Sequence, residues 1–296
     1  MASAVTDWAA WINKRNQART ADDFRIYIDK WMREGELAES PVDRLTEDHV
    51  DSFVNPQDAD AKLGTRKQRL SILRSFFGFL SAKGWIEGDP SRLVRVQYHG
   101  LTHEQKETKH PPVFTDAEFA LVVDHTASLI AEFKGKLAGG KPCGRAVNHK
   151  LDRATFWWCA TIISRCSGLR LGDVCQLEWA TMAGDQFTVH TDKRDKRVVP
   201  HIWNEPLFKR AVASIPYASD THCFPEAREI ITDPKRRQAL SWQFGCICER
   251  VGLSSHSFHG LRHTYATECH RAGIPTPHIA ASMGHSDPRT TAVYIH

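Results

Sequence analysis

The residues best equipped for chemistry are His259-Gly260-Leu261-Arg262-His263-Thr264, then Gly284-His285, then Tyr294. The spacing is His-x-x-Arg, 23 residues to His285, and nine more to Tyr294. Upstream stands Ser167-Gly168-Leu169-Arg170-Leu171-Gly172-Asp173, and between the two lies Asp192-Lys193-Arg194-Asp195-Lys196-Arg197-Val198-Val199-Pro200. Two arginines offer planar forks that match phosphate oxygens in pairs. Lysine and histidine can donate a proton or a hydrogen bond. Tyrosine is a weak nucleophile, with a pKa near ~10, unless cations or a base ease formation of its phenolate. A phosphodiester under attack gathers charge on its non-bridging oxygens, which guanidinium and imidazole groups can stabilise. No acidic metal-binding cluster is evident in the sequence, so the cations are expected to come from the protein itself. Taken singly, each residue has an ordinary explanation as core, surface or ion pair; order and spacing together carry the reading.

These residues need elements to hold them. Residues 4–34 read as one amphipathic helix or two short ones, with Trp8, Trp11, Phe24, Ile28 and Trp31 as the apolar set. Thr46-Glu47-Asp48 marks a helix start, and Thr65 can cap the next helix. In that helix Leu70, Leu73, Phe76, Phe77 and Leu80 recur at helical spacing. Arg66, Lys67, Arg69 and Arg74 take the remaining positions, so one face can pack while another meets phosphates. Lys83-Gly84 ends it and Gly88-Asp89-Pro90 turns. Thr115 opens a helix with Asp116 and Glu118 in its first turn. Residues 133–150, rich in glycine and lysine, read as a loop. Residues 151–166 read as a buried helix. The alternation from Gln176 to Val199 predicts a small antiparallel sheet, with Gly184-Asp185 as its turn. Helices return from Leu207.

The fold class expected is mainly α with a small antiparallel β-sheet, in two domains: a helical unit at 1–98 and an α+β unit at 113–296. The polar stretch 99–112, ending in His110-Pro111-Pro112, is the linker. Charge is uneven. Residues 1–61 hold 7 Lys+Arg against 13 Asp+Glu, residues 62–109 hold 10 against 4, and residues 110–296 hold 22 against 18. Such a swing can mark a nucleic-acid face or a solvated helix. No apolar run approaches the ~20 residues of a membrane span, and Met1 to Asn16 lacks signal-peptide order, so the expectation is an intracellular protein. Eight cysteines without an export signal predict reduced, buried thiols. Cys246-x-Cys248 raises zinc, but the spacing is wrong and no second pair follows; no metal and no cofactor are expected.

This constellation resembles the tyrosine recombinase (phage integrase) family. That family shows an Arg in a G-L-R-x-x-E/D segment, a hairpin Lys, His-x-x-Arg on a helix, then Gly-His, then a nucleophilic Tyr. Arg170, Lys193, His259, Arg262, His285 and Tyr294 match these in order, and Asp173 stands where an acidic residue supports the first arginine. Leu261 to Thr267 is similar to the family's L-R-H-T-F-A-T helix, and Asp287 to Thr291 resembles its H-S-x-x-T-T run. Residues 66–94 are similar to the last helix of the family's N-terminal core-binding domain, while 130–150 is a poorly matching insertion. Lys193 and Lys196 both sit in the hairpin; Lys193, seven residues before Pro200, is the better match. Tyr265, the nearest rival to Tyr294, occupies the motif helix where the family has an aromatic, and is assigned to packing.

The resemblance implies that Tyr294 attacks a scissile phosphate to give a 3′-phosphotyrosine. Arg170, Arg262 and His285 would hold the phosphate, His259 would position it or move a proton, and Lys193 would protonate the departing 5′-oxygen. The covalent link conserves bond energy, so no ATP is needed, and no Walker loop is present. The implied partner is double-stranded DNA, bound by a homotetramer on two sites. The sequence runs two residues past Tyr294, where family members usually continue into a segment that docks on a neighbouring subunit. Alternatives are a type IB topoisomerase, a catalytically silent DNA-binding protein of the same fold, and a zinc-binding helical adaptor.

Overall fold

The computed structural model describes residues 1–15, 18–56, 61–98, 112–138, 145–182, 187–191, 196–285, 287 and 291. The chain divides into two compact units, Met1–Lys109 and His110–His296.

In the first unit the apolar spacing produces α1 (Ala2–Arg15), α2 (Ala18–Glu34), α3 (Glu47–Val54) and α4 (Leu63–Ala82). The two-helix alternative for residues 4–34 is the one adopted. Its core is aromatic: Trp8, Ile28, Trp31, Phe76 and Phe77 are all fully buried. The Trp8 and Phe76 rings meet edge-on at 5.4 Å, and those of Trp31 and Phe77 at 5.8 Å, a geometry that aromatic quadrupoles favour. The Trp31 indole donates to the His49 carbonyl at 2.8 Å, which fastens α2 to α3. Thr46 caps α3 with a reciprocal bond from its own backbone N–H to the His49 ring. Helix α4 begins two residues before Thr65, with Lys62 in extended conformation at the cap, so Thr65 lies within the first turn rather than at its start. The helix stops at Lys83-Gly84, where Gly84 adopts φ +68°, a conformation that costs glycine little.

The basic face expected on α4 is corrected by packing. Arg66 and Arg69 are 4% and 8% exposed. Arg66 Nε donates to the Ala61 carbonyl at 3.0 Å, and Arg69 Nη1 donates to the Phe53 carbonyl at 2.7 Å. The Arg69 guanidinium also lies over the Phe53 ring at 4.4 Å. Both arginines therefore brace carbonyls at the ends of neighbouring segments and do not present a phosphate-binding face. Lys67 and Arg74 stay exposed. Arg74 Nη2 also donates to the Val94 carbonyl at 3.1 Å.

The second unit is built from α5 (Asp116–Ala138), α6 (Arg145–Ser167), α7 (Leu171–Cys175), α8 (Trp179–Met182), β1 (Val189–Thr191), β2 (Lys196–Val198), α9 (Glu205–Ala213), α10 (Pro225–Thr232), α11 (Gln238–Arg250), α12 (Phe258–Arg271) and α13 (Thr276–Ser282). Helix α6 is central, packing against α5, α9 and α12. From Ala154 to Leu169 every residue is buried, as expected of a helix enclosed by the core. Thr115 opens α5 as predicted, exchanging bonds with Glu118 at 2.8 and 3.2 Å. The loop expected over 133–150 is shorter. Helix α5 continues through Gly135 to Ala138, helped by the Glu132–Lys136 pair one turn apart, and α6 resumes at Arg145. One glycine costs a helix only ~1 kcal/mol. The sheet is also smaller than alternation suggests. Among the described residues the sheet has two strands, β1 and β2, antiparallel, with Val189 opposite Val198 and Thr191 opposite Lys196. Trp179–Met182 is helical, and Gly184-Asp185 lies outside the described residues.

Among the described residues seven cysteines are free thiols, and all of these but Cys246 are buried. Burial pushes Cys159, Cys223 and Cys248 up to about 12, which opposes the thiolate that metal binding requires. Cys246 and Cys248 are two apart on α11 and so do not face each other. Among the described residues no three His, Cys, Asp or Glu side chains gather into a potential metal site. No described helix is long and apolar enough to cross a membrane.

Candidate active site

The site is assembled around α12. His259 and Arg262 are three apart, so one helical turn places them on the same side. Arg262 is 1% exposed, and three groups on two segments accept from it. Nη1 donates to the Gly168 carbonyl at 2.5 Å, and Nη2 donates to the Met283 carbonyl at 2.6 Å and to His285 Nε2 at 2.8 Å. The turn between α6 and α7 and the end of α13 are therefore fastened to one guanidinium. This matters because a buried cation is tolerated only when its donors are met.

Each of those segments has a local reason for its shape. Gly168 adopts φ +68°, and a Cβ there would meet the Tyr265 ring at 2.5 Å. Glycine is required on both counts. Ser164 Oγ donates to the Leu169 carbonyl at 2.9 Å, which closes the turn. Arg170 follows at once, its side chain 29% exposed and its Nη1 3.8 Å from Asp173 Oδ2. The same carboxylate accepts from the Arg170 backbone N–H at 3.4 Å. The far segment ends α13 with Gly284 at φ +69°. The N–H of Gly284 donates to Ala281 at 3.0 Å, and that of His285 donates to Ala280 at 2.8 Å. This is the paired closure of a left-handed helix end, and it sets the direction in which His285 leaves the helix.

The hairpin packs on this corner. A Cβ on Gly284 would meet Val198 Cγ2 at 3.0 Å and Thr191 Cγ2 at 3.5 Å, so the two strands lie against the glycine before His285. Ser282 Oγ accepts from the His201 backbone N–H at 2.8 Å. Tyr265, fully buried, donates to the His201 carbonyl at 2.9 Å and lies 2.7 Å from Ser282 Oγ. Burial raises its pKa far above the ordinary phenol value. Tyr265 is thus a packing residue, as its place on α12 predicts.

His259 is exposed while Arg262 beneath it is buried. Its pKa is lowered to about 4 by the protein crowding its ring, then by the Arg262 and Arg170 guanidiniums. Both arginines act on this histidine, and it is neutral at neutral pH. The buried His263 ring meets that of His259 edge-on at 5.1 Å.

The structure thus brings together Arg170, Asp173, His259, Arg262 and His285. Lys193 and Tyr294 lie outside the described residues, as does the rest of 192–195. Sequence reasoning gave no role to Thr291, whose Oγ1 lies 2.8 Å from His285 Nδ1. The Asp287–Thr291 run was noticed as a motif, but spacing alone shows no partner. Nor did any sequence signal name the Gly168 and Met283 carbonyls, since every residue has one.

Residues 151–296 match the phage integrase family model. The tyrosine recombinase XerC of Chlorobaculum tepidum is 27% identical over 281 residues, covering 88% of this chain and 75% of that one. A XerC-like tyrosine recombinase of Caldanaerobacter subterraneus is 22% identical over 271 residues, and the match spans 62% of that relative's length. Among solved structures, a lambda integrase (75-356) dimer bound to a COC′ core site matches with TM-score 0.70 at 17% identity, covering 100% of this chain and 95% of that one. XerH recombinase in a post-cleavage complex with a difH substrate matches with TM-score 0.60 at 15% identity, covering 93% and 75%. The fold is that of lambda integrase, and residues 151–296 belong to the phage integrase family of tyrosine recombinases.

Proposed function

We propose that this chain is a site-specific DNA recombinase that cuts and rejoins strands through a 3′-phosphotyrosine at Tyr294. The observation that carries the reading is the convergence of Arg170, Arg262 and His259 at one corner, with His259 feeling both guanidiniums. A corner of excess positive charge suits an anionic phosphate. Arg170 and His259 are solvent-accessible there, and Arg262 is a fixed charge behind them. Such preorganised cations stabilise the charge that grows on non-bridging oxygens. A neutral His259 can accept the Tyr294 proton or hold a phosphate oxygen. The Tyr294 oxygen bonds to phosphorus as the 5′-oxygen leaves, and Lys193 supplies the proton that this oxygen takes. Attack by a 5′-hydroxyl reverses the step, so no nucleotide is consumed.

The partner is double-stranded DNA, and the working assembly is a homotetramer on two sites. Phosphate contacts supply affinity, and base contacts and DNA shape supply site choice. In the helical unit, exposed Lys67 and Arg74 are the candidates for phosphate contact.

The decisive test offers purified protein a pool of nicked duplexes with randomised cores and recovers covalent adducts on a denaturing gel. Wild type should form an adduct and Tyr294→Phe none; an adduct that persists in Tyr294→Phe would falsify the nucleophile assignment. Lys193→Ala should cleave slowly and recover with a 5′-bridging phosphorothioate, whose sulfur leaves without an acid. Recovery in Lys196→Ala instead moves that role by three residues.

A further inference from the structure

The His285 ring is held from both sides. Arg262 Nη2 approaches Nε2 at 2.8 Å, and Thr291 Oγ1 approaches Nδ1 at 2.8 Å. Guanidinium nitrogens only donate, so Nε2 must accept and carry no proton. A neutral imidazole then bears its proton on Nδ1, 2.8 Å from the Thr291 hydroxyl oxygen. Thr291 is 0% exposed and His285 is 7% exposed, so bulk water is not at hand to replace that oxygen. Thr291 also stands three residues before Tyr294 in the sequence, within roughly 11 Å of fully extended chain.

We propose that Thr291 is a positioning residue for the recombinase reaction: it accepts the His285 Nδ1 proton, fixes that tautomer, and so leaves Nε2 to hold Arg262. The chain Thr291–His285–Arg262 ties residue 291, three before the nucleophile in the sequence, to the buried guanidinium behind Arg170 and His259. The tautomer of a ring is set by the bond its far nitrogen makes, and partners one step removed from a site tune its geometry in this way. Arg262 is in turn bound to Gly168 and Met283, so a change in the position of residue 291 is transmitted to the turn before Arg170. The inference rests on the recombinase reading for its kinetic consequence, though not for the tautomer.

Two measurements test it. First, adduct formation at saturating DNA is followed for Thr291→Val, which keeps the shape and removes the hydroxyl. A positional fault of this kind costs on the order of 10- to 100-fold. We expect that loss in the cleavage rate with half-saturating DNA unchanged, and Thr291→Ser should recover to within about threefold. In a His285→Ala background, Thr291→Val should add less than about twofold, since the interaction it breaks is already gone. Equal losses in both backgrounds, or a valine variant as fast as wild type, overturn the proposal. Second, 15N spectra of histidine-labelled wild type should show His285 as the Nδ1–H tautomer. An Nε2–H tautomer or a doubly protonated ring at neutral pH also overturns it, and this readout does not need the variant to fold. Absence of any adduct from wild type would instead count against the recombinase reading while the spectrum still judges the tautomer.

Discussion

Arg69 and Arg262 make a close comparison. Each is a buried arginine whose guanidinium donates to the main-chain carbonyl of another segment, Phe53 in one case and Gly168 and Met283 in the other. In the helical unit the guanidinium is stacked on the Phe53 ring, and its work is to join α4 to the end of α3. In the second unit the guanidinium is bound to His285 and lies near His259 and Arg170. Burial and carbonyl bonds thus hold an arginine in place without saying what it is for. What separates bracket from site is company: other cations, and an ionisable ring at the surface.

Substitutions can break this pairing. Arg262→Lys keeps the charge and loses the fork, so Gly168, Met283 and His285 cannot all be served. Cleavage should fall by about 10²- to 10³-fold, as for loss of one preorganised donor, measured as adduct formation by folded protein. Arg69→Met should do the opposite. Stability falls by about 2–3 kcal/mol as the Phe53 carbonyl loses a charged partner, read from urea unfolding, while cleavage per folded molecule stays within about twofold. If Arg69→Met abolished cleavage in folded protein, the bracket assignment would be wrong.

A titration sharpens the comparison further. His259 should show a midpoint near 4 in free protein, against an ordinary value of 6.5. Between those two values the unfolded chain holds the proton and the folded protein does not, so stability rises with pH across the window. The contribution of neutral His259 is complete above about 6.5 and is lost as pH falls toward 4. A bound phosphate should raise the midpoint by offsetting the two guanidiniums. A free-protein midpoint at 6.5, followed by NMR, would remove the coupling on which the site reading rests.

The smallest effect concerns α4. Lys67→Ala should reduce the slope of log affinity against log salt by about 1, whereas Arg66→Met should leave the slope alone and lower stability, since Arg66 donates to Ala61. Equal slope changes for the two would restore the basic face that packing removes.

How far the site could be read in advance follows from the range of each interaction. His259 and Arg262 share a helical turn, Gly284 precedes His285 at a helix end, and Gly168 precedes Arg170 at a tight turn. Local backbone rules suffice for these, and they are visible as spacing. The sheet was over-extended because alternation also occurs in short helices such as Trp179–Met182, and the 133–150 loop was over-extended because glycine content outweighed a continuing helix.

By itself, then, the sequence determined which residue types occur in which order, and with that the family and the chemistry to look for. Only the tertiary structure decided where each charge points. Arg66, Lys67, Arg69 and Arg74 share one helix and similar spacing, yet two face carbonyls inside and two remain exposed. Arg262 meets its partners at 94 and 21 residues' separation, and those partners are carbonyls that no side-chain pattern records. A hydrogen bond requires a donor and an acceptor within about 3 Å, and that condition is settled only when distant segments have been packed together.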